Sequence, residues 1–132
     1  MYKFLLFMLL SSVTTSAMAE WEIVDLNHKK NTYVDMTDIR KNGSIVKMWE
    51  MTDYKLPEKN SSGASFLSVR VLKKYDCEEV RSSILSMTAF SENMANGAVI
   101  FSFSVQDADA DWDEIAPNTI LKALWKTACI KK

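Results

Sequence analysis

Four aspartates at alternate positions form the most conspicuous candidate metal site: Asp107, Asp109, Asp111 and Asp113. Carboxylates repeated in this way can converge on a hard cation such as Ca²⁺. A calcium-binding loop needs a glycine at its sharp turn, where this chain has Trp112, and a bidentate glutamate at its end, where it has Asn118. Because the pattern fails at both positions, we expect a solvated acidic loop without a bound metal.

A second group of carboxylates, Asp76, Glu78 and Glu79, has the composition needed for general acid–base catalysis. No histidine accompanies it, because the single histidine, His28, lies in a separate polar segment. The serines are frequent, but none lies in the G-x-S-x-G motif of a nucleophile elbow. We therefore expect a solvated turn at Asp76, and a protein that is not an enzyme and needs no cofactor.

The charges and the aromatic residues indicate which partners suit the protein. The 16 basic residues nearly balance the 17 acidic ones and are scattered, so the basic stripe that a nucleic acid requires is missing. Tryptophans are more often found in a core or a protein interface than in a small-ligand cage. The four are Trp21, Trp49, Trp112 and Trp125.

The N-terminal segment has the three parts of a secretory signal peptide. Lys3 precedes an apolar run over residues 4–10, and Ala17-Met18-Ala19 forms the cleavage motif. The run is shorter than the roughly 20 apolar residues of a membrane span. We expect cleavage of residues 1–19 between Ala19 and Glu20, leaving one small exported domain, residues 20–132, without a membrane span. Its expected location is the periplasm, with secretion or surface association as alternatives.

Cys77 and Cys129 are the two cysteines of the chain. In the oxidising compartment of an exported protein they are expected to form one disulfide. The loop closed in this way would stabilise the fold by about 4 kcal/mol in the chain-entropy model. A zinc site is the alternative, but His28 as the sole histidine leaves its ligand shell incomplete.

Six segments have the composition or the period of two that is typical of β-strands. They cover residues 21–23, 32–35, 44–54, 66–77, 79–91 and 99–105. Asn42-Gly43 and Asn96-Gly97 favour tight turns, because these residue types tolerate positive φ. Pro57 and the polar run 60–63 indicate an exposed loop.

The phases of these strands predict which side chains are buried. Segment 44–54 has apolar residues in both phases, so we expect both of its faces to be at least partly covered. Segment 99–105 alternates as a half-buried strand. In segment 66–77, one phase faces the core and ends at Cys77, while the other is polar. The polar phase contains Ser68, Arg70, Lys74 and Asp76.

A C-terminal helix must cover this sheet. Pro117 suits a first helical position, because the N–H that proline lacks would be unpaired there. The residues that follow it form an apolar stripe at helical spacing: Ile120, Leu121, Leu124, Trp125, Ala128 and Cys129. The sequence therefore predicts an α+β fold, an antiparallel sheet of about six strands with one C-terminal helix packed on one face.

Several short motifs together resemble the surface-adhesin protein E-like family. They are Tyr33-Val34-Asp35, Ile39-Arg40, Val46-x-Met48-Trp49, Asp53-Tyr54, Ser68, Tyr75-Asp76-Cys77, Trp112-x-x-Ile115-x-Pro117 and Cys129. In this order they span nearly all of residues 20–132. The resemblance implies a bacterial antiparallel sheet with a C-terminal helix, a Cys77–Cys129 disulfide and a tendency to form homodimers.

The resemblance also implies a function. The member that gives the family its name is a bacterial outer-membrane lipoprotein that acts as an adhesin and binds host matrix and serum proteins such as vitronectin and laminin. No cysteine follows Ala19 closely here, so we expect a soluble relative and a protein partner of unknown identity. The alternative function is a periplasmic structural or envelope-stress protein that acts by self-association. No ligand-binding residue matches position by position.

Overall fold

The computed structural model describes residues 19–130. Residues 1–18, which are all but the last residue of the predicted signal peptide, lie outside this range, as do the final two lysines. Cleavage between Ala19 and Glu20, and the domain boundary that follows from it, therefore stay predictions. Within the described range, no helix is both long and apolar enough to cross a membrane.

Eight strands and one helix make up residues 19–130. The strands are β1 (Trp21–Leu26), β2 (Lys30–Asp35), β3 (Arg40–Asn42), β4 (Ile45–Lys59), β5 (Ser65–Asp76), β6 (Arg81–Phe90), β7 (Val99–Ser104) and β8 (Asp113–Glu114). The helix, α1, covers Ile120–Ile130, and a 3-10 turn covers Asp107–Asp109. The main antiparallel sheet has the order β1-β2-β4-β5-β6-β7, with β3 paired to β4 and β8 to β6. The predicted α+β fold is confirmed.

The register of the central strands decides which side chains share a face, because directly opposed residues of an antiparallel pair project to the same side. Val46 opposes Tyr75 on the side covered by α1, which we call the helix face. Trp49 opposes Leu72 on the other side, which we call the open face. As predicted, β4 is covered on both sides, since Met48 and Met51 lie in opposite phases and are both fully buried.

The helix face carries two separate apolar clusters. The first lies under α1 and joins the predicted helical stripe to the sheet residues Val34, Val46, Met48 and Tyr75. The second contains Val69, Val71 and Ala89 under the rings of Tyr54, Phe66 and Phe101. The Phe66 ring lies edge-on to the other two rings, at centroid distances of 5.9 and 5.5 Å. The second cluster contains no residue of the described part of α1, so its own aromatic rings cover this part of the sheet.

The start of α1 differs from the prediction. Pro117 is not the first helical residue, because the backbone of Asn118 has a positive φ of 60° and breaks the path between them. Thr119 takes the N-cap position, where its Oγ1 accepts a hydrogen bond from the Lys122 N–H at 3.2 Å. Pro117 therefore precedes the helix in an exposed turn.

The end of β4 also differs from the prediction. Pro57 was expected in a loop but lies within the strand, which continues to Lys59. The ladder between β4 and β5 is irregular between Asp53 and Glu58. A proline is tolerated there, because the missing N–H falls where regular pairing is interrupted.

The last strand of the main sheet is more exposed than predicted. Val99, Phe103 and Val105 were expected to be half-buried, but they are 58%, 47% and 43% exposed. These side chains are exposed because β7 is an edge strand. It pairs with β6 on one side, and no element of residues 19–130 pairs with its other side. A period of two identifies a strand but does not tell whether it lies at an edge.

Two attachments fix α1 to the end of β5. Cys77 and Cys129 form a disulfide, with their Cα atoms 5.6 Å apart. One turn earlier in the helix, the Trp125 indole N–H donates to the Asp76 carbonyl at 2.8 Å. The C-terminal half of α1 is thus held against the strand end by a covalent bond and a hydrogen bond.

Replacing both Cys77 and Cys129 by serine is expected to lower the free energy of unfolding by about 4 kcal/mol, because a closed loop of 52 residues limits the entropy of the unfolded chain. Urea unfolding of the purified domain measures this change. In the parent protein, thiol labelling after denaturation without reductant should detect no free thiol. Two reactive thiols, or an unchanged unfolding midpoint in the variant, would contradict the prediction.

Candidate binding site on the open face

The β6–β7 loop, residues 91–98, covers one end of the open face. Asn93 Nδ2 and the Met94 N–H both donate to Asp53 Oδ1 at 2.9 Å. The Ser68 hydroxyl donates to the Glu92 carbonyl at 2.6 Å. Ser68, which the polar phase of its strand placed away from the core, is consequently fully buried.

The connection between β7 and β8, residues 105–112, covers the other end, and we call it the acidic strap. Asp107 accepts a hydrogen bond from Lys74 Nζ at 2.9 Å, and its second carboxylate oxygen pairs with Lys47. The Trp112 ring lies 4.6 Å from Lys74 Nζ and 4.5 Å from Arg81 Cζ. Ion pairs and cation–π contacts therefore attach the strap to three neighbouring strands, β4, β5 and β6.

The acidic run is exposed to solvent, as the sequence predicted, but one of its residues, Asp107, is also ion-paired. Hydrogen bonds from Lys47 and then Lys74 hold the pKa of Asp107 below its ordinary value. All four aspartates of the run are exposed, and the Asp107 side chain is 51% exposed. Among residues 19–130, no three histidine, cysteine or acidic side chains are placed to hold a metal ion. The ion pairing of Asp107 was not predicted, because the two lysines that project towards it from the sheet are distant in sequence.

In the second group of carboxylates, Asp76 has a structural role, whereas Glu78 and Glu79 are exposed. Asp76 is 5% exposed, and it accepts hydrogen bonds from the N–H groups of Glu78 and Glu79 at 3.0 and 3.2 Å. Arg81 pairs with its other oxygen at 3.0 Å. Burial acts to raise the pKa of Asp76, but these hydrogen bonds together hold it below its ordinary value. The expected solvated turn is wrong for Asp76, whereas His28 is exposed as expected.

Between the two covered ends, the open face holds a groove of about 620 Å³. Five strands or their immediate flanks supply its lining: Trp21, Asp35, Thr37, Asp38, Arg40, Trp49 and Arg70. Ala19, which the predicted cleavage would remove, also contacts it. A smaller depression of about 230 Å³ extends past Trp49 to Lys47 and Leu72. The site is therefore a shallow surface trough with two indole rings and two guanidinium groups.

Most of the charged groups in the groove have partners within it. Asp35 accepts hydrogen bonds from the N–H and hydroxyl of Thr37 at 2.9 and 2.5 Å. Arg40 Nε donates to Asp38 at 2.9 Å. Arg70 lies over the Trp49 ring, with Cζ 4.8 Å from the ring centroid. No carboxylate in the described range lies within 4.0 Å of the Arg70 guanidinium.

A buried polar network lies on the helix face, away from the groove. Glu50 is 4% exposed, accepts a hydrogen bond from the Tyr75 hydroxyl and pairs with Lys73 Nζ at 3.0 Å. Burial raises the pKa of Glu50, and Lys73 and Tyr75 oppose that rise. Burial and the Glu50 carboxylate also raise the pKa of Tyr75, so its hydroxyl stays protonated as a donor. None of the three lines the groove or the smaller depression, and we assign them a structural role.

Comparison with known proteins identifies the family. The family model for surface-adhesin protein E matches residues 21–130. This chain belongs to the surface-adhesin protein E family. No curated protein sequence is significantly similar to it. The resemblance inferred from the sequence motifs is thereby confirmed, and membership supports an adhesin-like surface protein.

Solved structures of protein E share the fold. A second crystal form of Haemophilus influenzae protein E has a TM-score of 0.59 at 15% identity, and the match covers 86% of this chain and 97% of that one. The protein from non-typeable Haemophilus influenzae has a TM-score of 0.56 at 16% identity, covering 88% and 79%. At these identities the likeness shows the common architecture and says nothing about which residues bind a partner.

Sequence reasoning identified some groove residues but not the groove. Trp21 and Trp49 were singled out as core or interface residues, and Arg70 was placed opposite the core. These residues lie up to 49 positions apart, and they meet because Trp21 opposes Asp35 and Arg70 opposes Met51 in the ladders. The sequence signal for the groove was the presence of large aromatic residues in strands of alternating polarity. Such residues predict an interaction surface, but they do not predict which residues of other strands lie beside them.

Asp107→Asn is expected to destabilise the domain by about 1–2 kcal/mol near pH 6. The substitution leaves Lys74, which is 6% exposed, without its carboxylate partner. The destabilisation is small because the Asp107 side chain is 51% exposed and solvent screens the pair. Urea unfolding at several pH values measures the difference from the parent protein.

The difference in stability between the parent protein and Asp107→Asn should depend on pH. Because hydrogen bonds from Lys47 and Lys74 hold the folded pKa of Asp107 below its ordinary value, its stabilising effect is fully present above the pKa of the unfolded chain, about 3.9, and is lost as pH falls through the folded pKa. The difference between parent and variant should therefore shrink in acid. Asp111→Asn, an exposed change in the same strap, is the control and should stay within about 0.5 kcal/mol. Equal effects of the two substitutions would contradict the assignment.

Proposed function

We propose that this protein is an exported, non-enzymatic adhesin-like domain that binds another protein through the groove on its open face. Family membership supports binding to a protein partner. The single observation that carries the choice of surface is the pairing of Trp49 with Arg70 beside Trp21, at the centre of a concave patch. Tryptophan and arginine are the residue types most enriched among the energetically dominant positions of protein interfaces.

The construction of the groove suits a protein partner better than a buried small molecule. It is shallow, and strand residues supply most of its lining, with Thr37 and Asp38 added by the short β2–β3 connection. The strap and the β6–β7 loop are both tied to the sheet by side-chain contacts. Such a surface is pre-organised, so a partner would meet a fixed shape and lose little entropy in ordering it.

Host matrix or serum proteins are the proposed partners, as in the family that the motifs resemble. Export supports this role, and we expect the mature chain to begin at Glu20 after signal cleavage. N-terminal sequencing of protein recovered from the periplasm, the surface and the medium tests both points at once. A chain that retains residues 1–19, or one confined to the cytoplasm, would contradict export.

Trp49→Ala is expected to weaken binding to immobilised matrix or serum proteins, with vitronectin and laminin as the first probes, by at least tenfold. The expected loss corresponds to one central aromatic contact of an interface, about 2 kcal/mol. Biolayer interferometry with the purified mature domain measures the affinity.

The matched control is Phe103→Ala, which removes an exposed aromatic ring that lies on the helix face of β7. Thermal unfolding establishes that both variants remain folded. Wild-type affinity in a folded Trp49→Ala variant, or an equal loss in both variants, would contradict the assignment of the groove.

Self-association is a second candidate function, and the free edge of β7 favours it. Residues 96–106 contain neither a charge nor a proline, and β7 has no second neighbour in the described chain. The other edge strand, β1, carries Glu22 and Asp25 and is bulged near Val24. Charges and bulges discourage edge-to-edge pairing, so β7 is the edge without protection.

Ser104→Lys should abolish any self-association that uses this edge. The side chain of Ser104 is exposed, and a charge there opposes strand pairing with a second copy. Size-exclusion chromatography with light scattering should show a dimer for the parent protein and a monomer for the variant. Ser61→Lys, in the exposed β4–β5 turn, is the control. A parent protein that stays monomeric at all concentrations would exclude this function.

A further inference from the structure

Arg70 is the one groove cation of residues 19–130 that lacks an ion-pair partner. Arg40 is held by Asp38, and Lys47 beyond Trp49 is held by Asp107. The Arg70 guanidinium lies over the Trp49 ring, and no carboxylate of residues 19–130 forms an ion pair with its N–H groups. Asp35, another carboxylate of the groove, is also engaged, since Thr37 donates to it twice.

The surroundings of Arg70 restrict what it can bind. The rings of Trp49 and Trp21 line the same trough and offer apolar surface next to the cation. Asp35 and Asp38 line it as well, and they repel a ligand with several closely spaced negative charges. A phosphate group or a polyanion is therefore a poor match, and a single carboxylate beside a large apolar side chain is a good one.

Charge complementarity thus specifies the partner. Resting on the proposed function of the groove, we propose that Arg70 binds a side-chain carboxylate of the partner protein, presented on an extended segment in which an aromatic or long aliphatic residue adjoins a glutamate or aspartate. The carboxylate accepts two parallel N–H bonds from the guanidinium fork. The neighbouring apolar side chain packs against Trp21 and Trp49.

The carboxylate and the apolar group play different parts in this recognition. The contact with the Trp49 ring already restricts the Arg70 side chain, so less side-chain entropy is lost when a partner binds. The indole surface contributes affinity for any segment with a suitable apolar residue, whereas Arg70 contributes the preference for an acidic one. Charge preference and overall binding are consequently separable by mutation.

Two blocked synthetic peptides test the proposal: acetyl-Ser-Phe-Glu-Leu-Ser-amide, and the same peptide with glutamine in place of glutamate. Each is titrated to millimolar concentration into the isotope-labelled mature domain, and the indole N–H resonances of Trp21 and Trp49 are followed by NMR. We expect the glutamate peptide to bind at least tenfold more tightly at low salt. Sodium chloride at 1 M should reduce that preference.

Variants assign the effect to Arg70. Arg70→Gln should abolish the preference for glutamate, and Arg70→Lys should retain part of it, since a lysine keeps the charge but loses the fork. Lys59→Gln removes one exposed cation outside the groove and should leave the preference unchanged. Thermal unfolding confirms that each variant is folded; Arg70 is exposed, so its replacement should be tolerated.

Three results would overturn the proposal: equal affinities for the two peptides, an undiminished preference in Arg70→Gln, or larger shifts with inorganic phosphate than with the glutamate peptide. The absence of any shift at the two indoles would overturn it too. The proposed function is judged separately by whole-protein binding of the Trp49→Ala variant. Whole-protein binding that depends on Trp49 but shows no carboxylate preference would preserve the function of the groove and remove the role of Arg70.

Discussion

The packing of one short helix on one part of a large sheet is the constraint from which the other features of this structure follow. An 11-residue helix is about 16 Å long, whereas the 12 residues of β5 extend over about 40 Å. The helix therefore shields only the sheet residues near Cys77, where the disulfide and the Trp125 hydrogen bond hold it. Everything else on both faces has to be covered by other means or left in contact with solvent.

Each exposed region is handled in a different way. On the helix face, the rings of Tyr54, Phe66 and Phe101 cover the second apolar cluster, and the Glu50 network separates that cluster from the first. On the open face, the β6–β7 loop and the acidic strap cover the two ends. The groove is what remains between them. Its position in the middle of the sheet gives it a rigid floor, which is the property that a pre-organised binding surface requires.

The balance between buried polar groups and their partners explains why the covering segments stay in place. Lys74 and Asp76 are nearly inaccessible, and each would be costly to bury without the hydrogen bonds it makes to the strap or to the turn after β5. Folding of the strap and burial of these side chains therefore depend on each other. The shared fold at 15% identity to protein E is consistent with an architecture set by residue pattern and by a few such contacts.

The sequence by itself determined the strands with a clear period of two, the apolar stripe of α1, the pairing of Cys77 with Cys129 and the family. These features depend on local repetition or on a pair with one possible connection. It did not determine the burial of Ser68, Lys74 and Asp76, the role of Asp107, the exposure of β7 or the short strand β3. Only the tertiary structure decided these features and brought Trp21, Trp49 and Arg70 together. Alternation along the sequence shows which residues share a face of one strand. The register of the ladders across five strands decides which of those residues become neighbours.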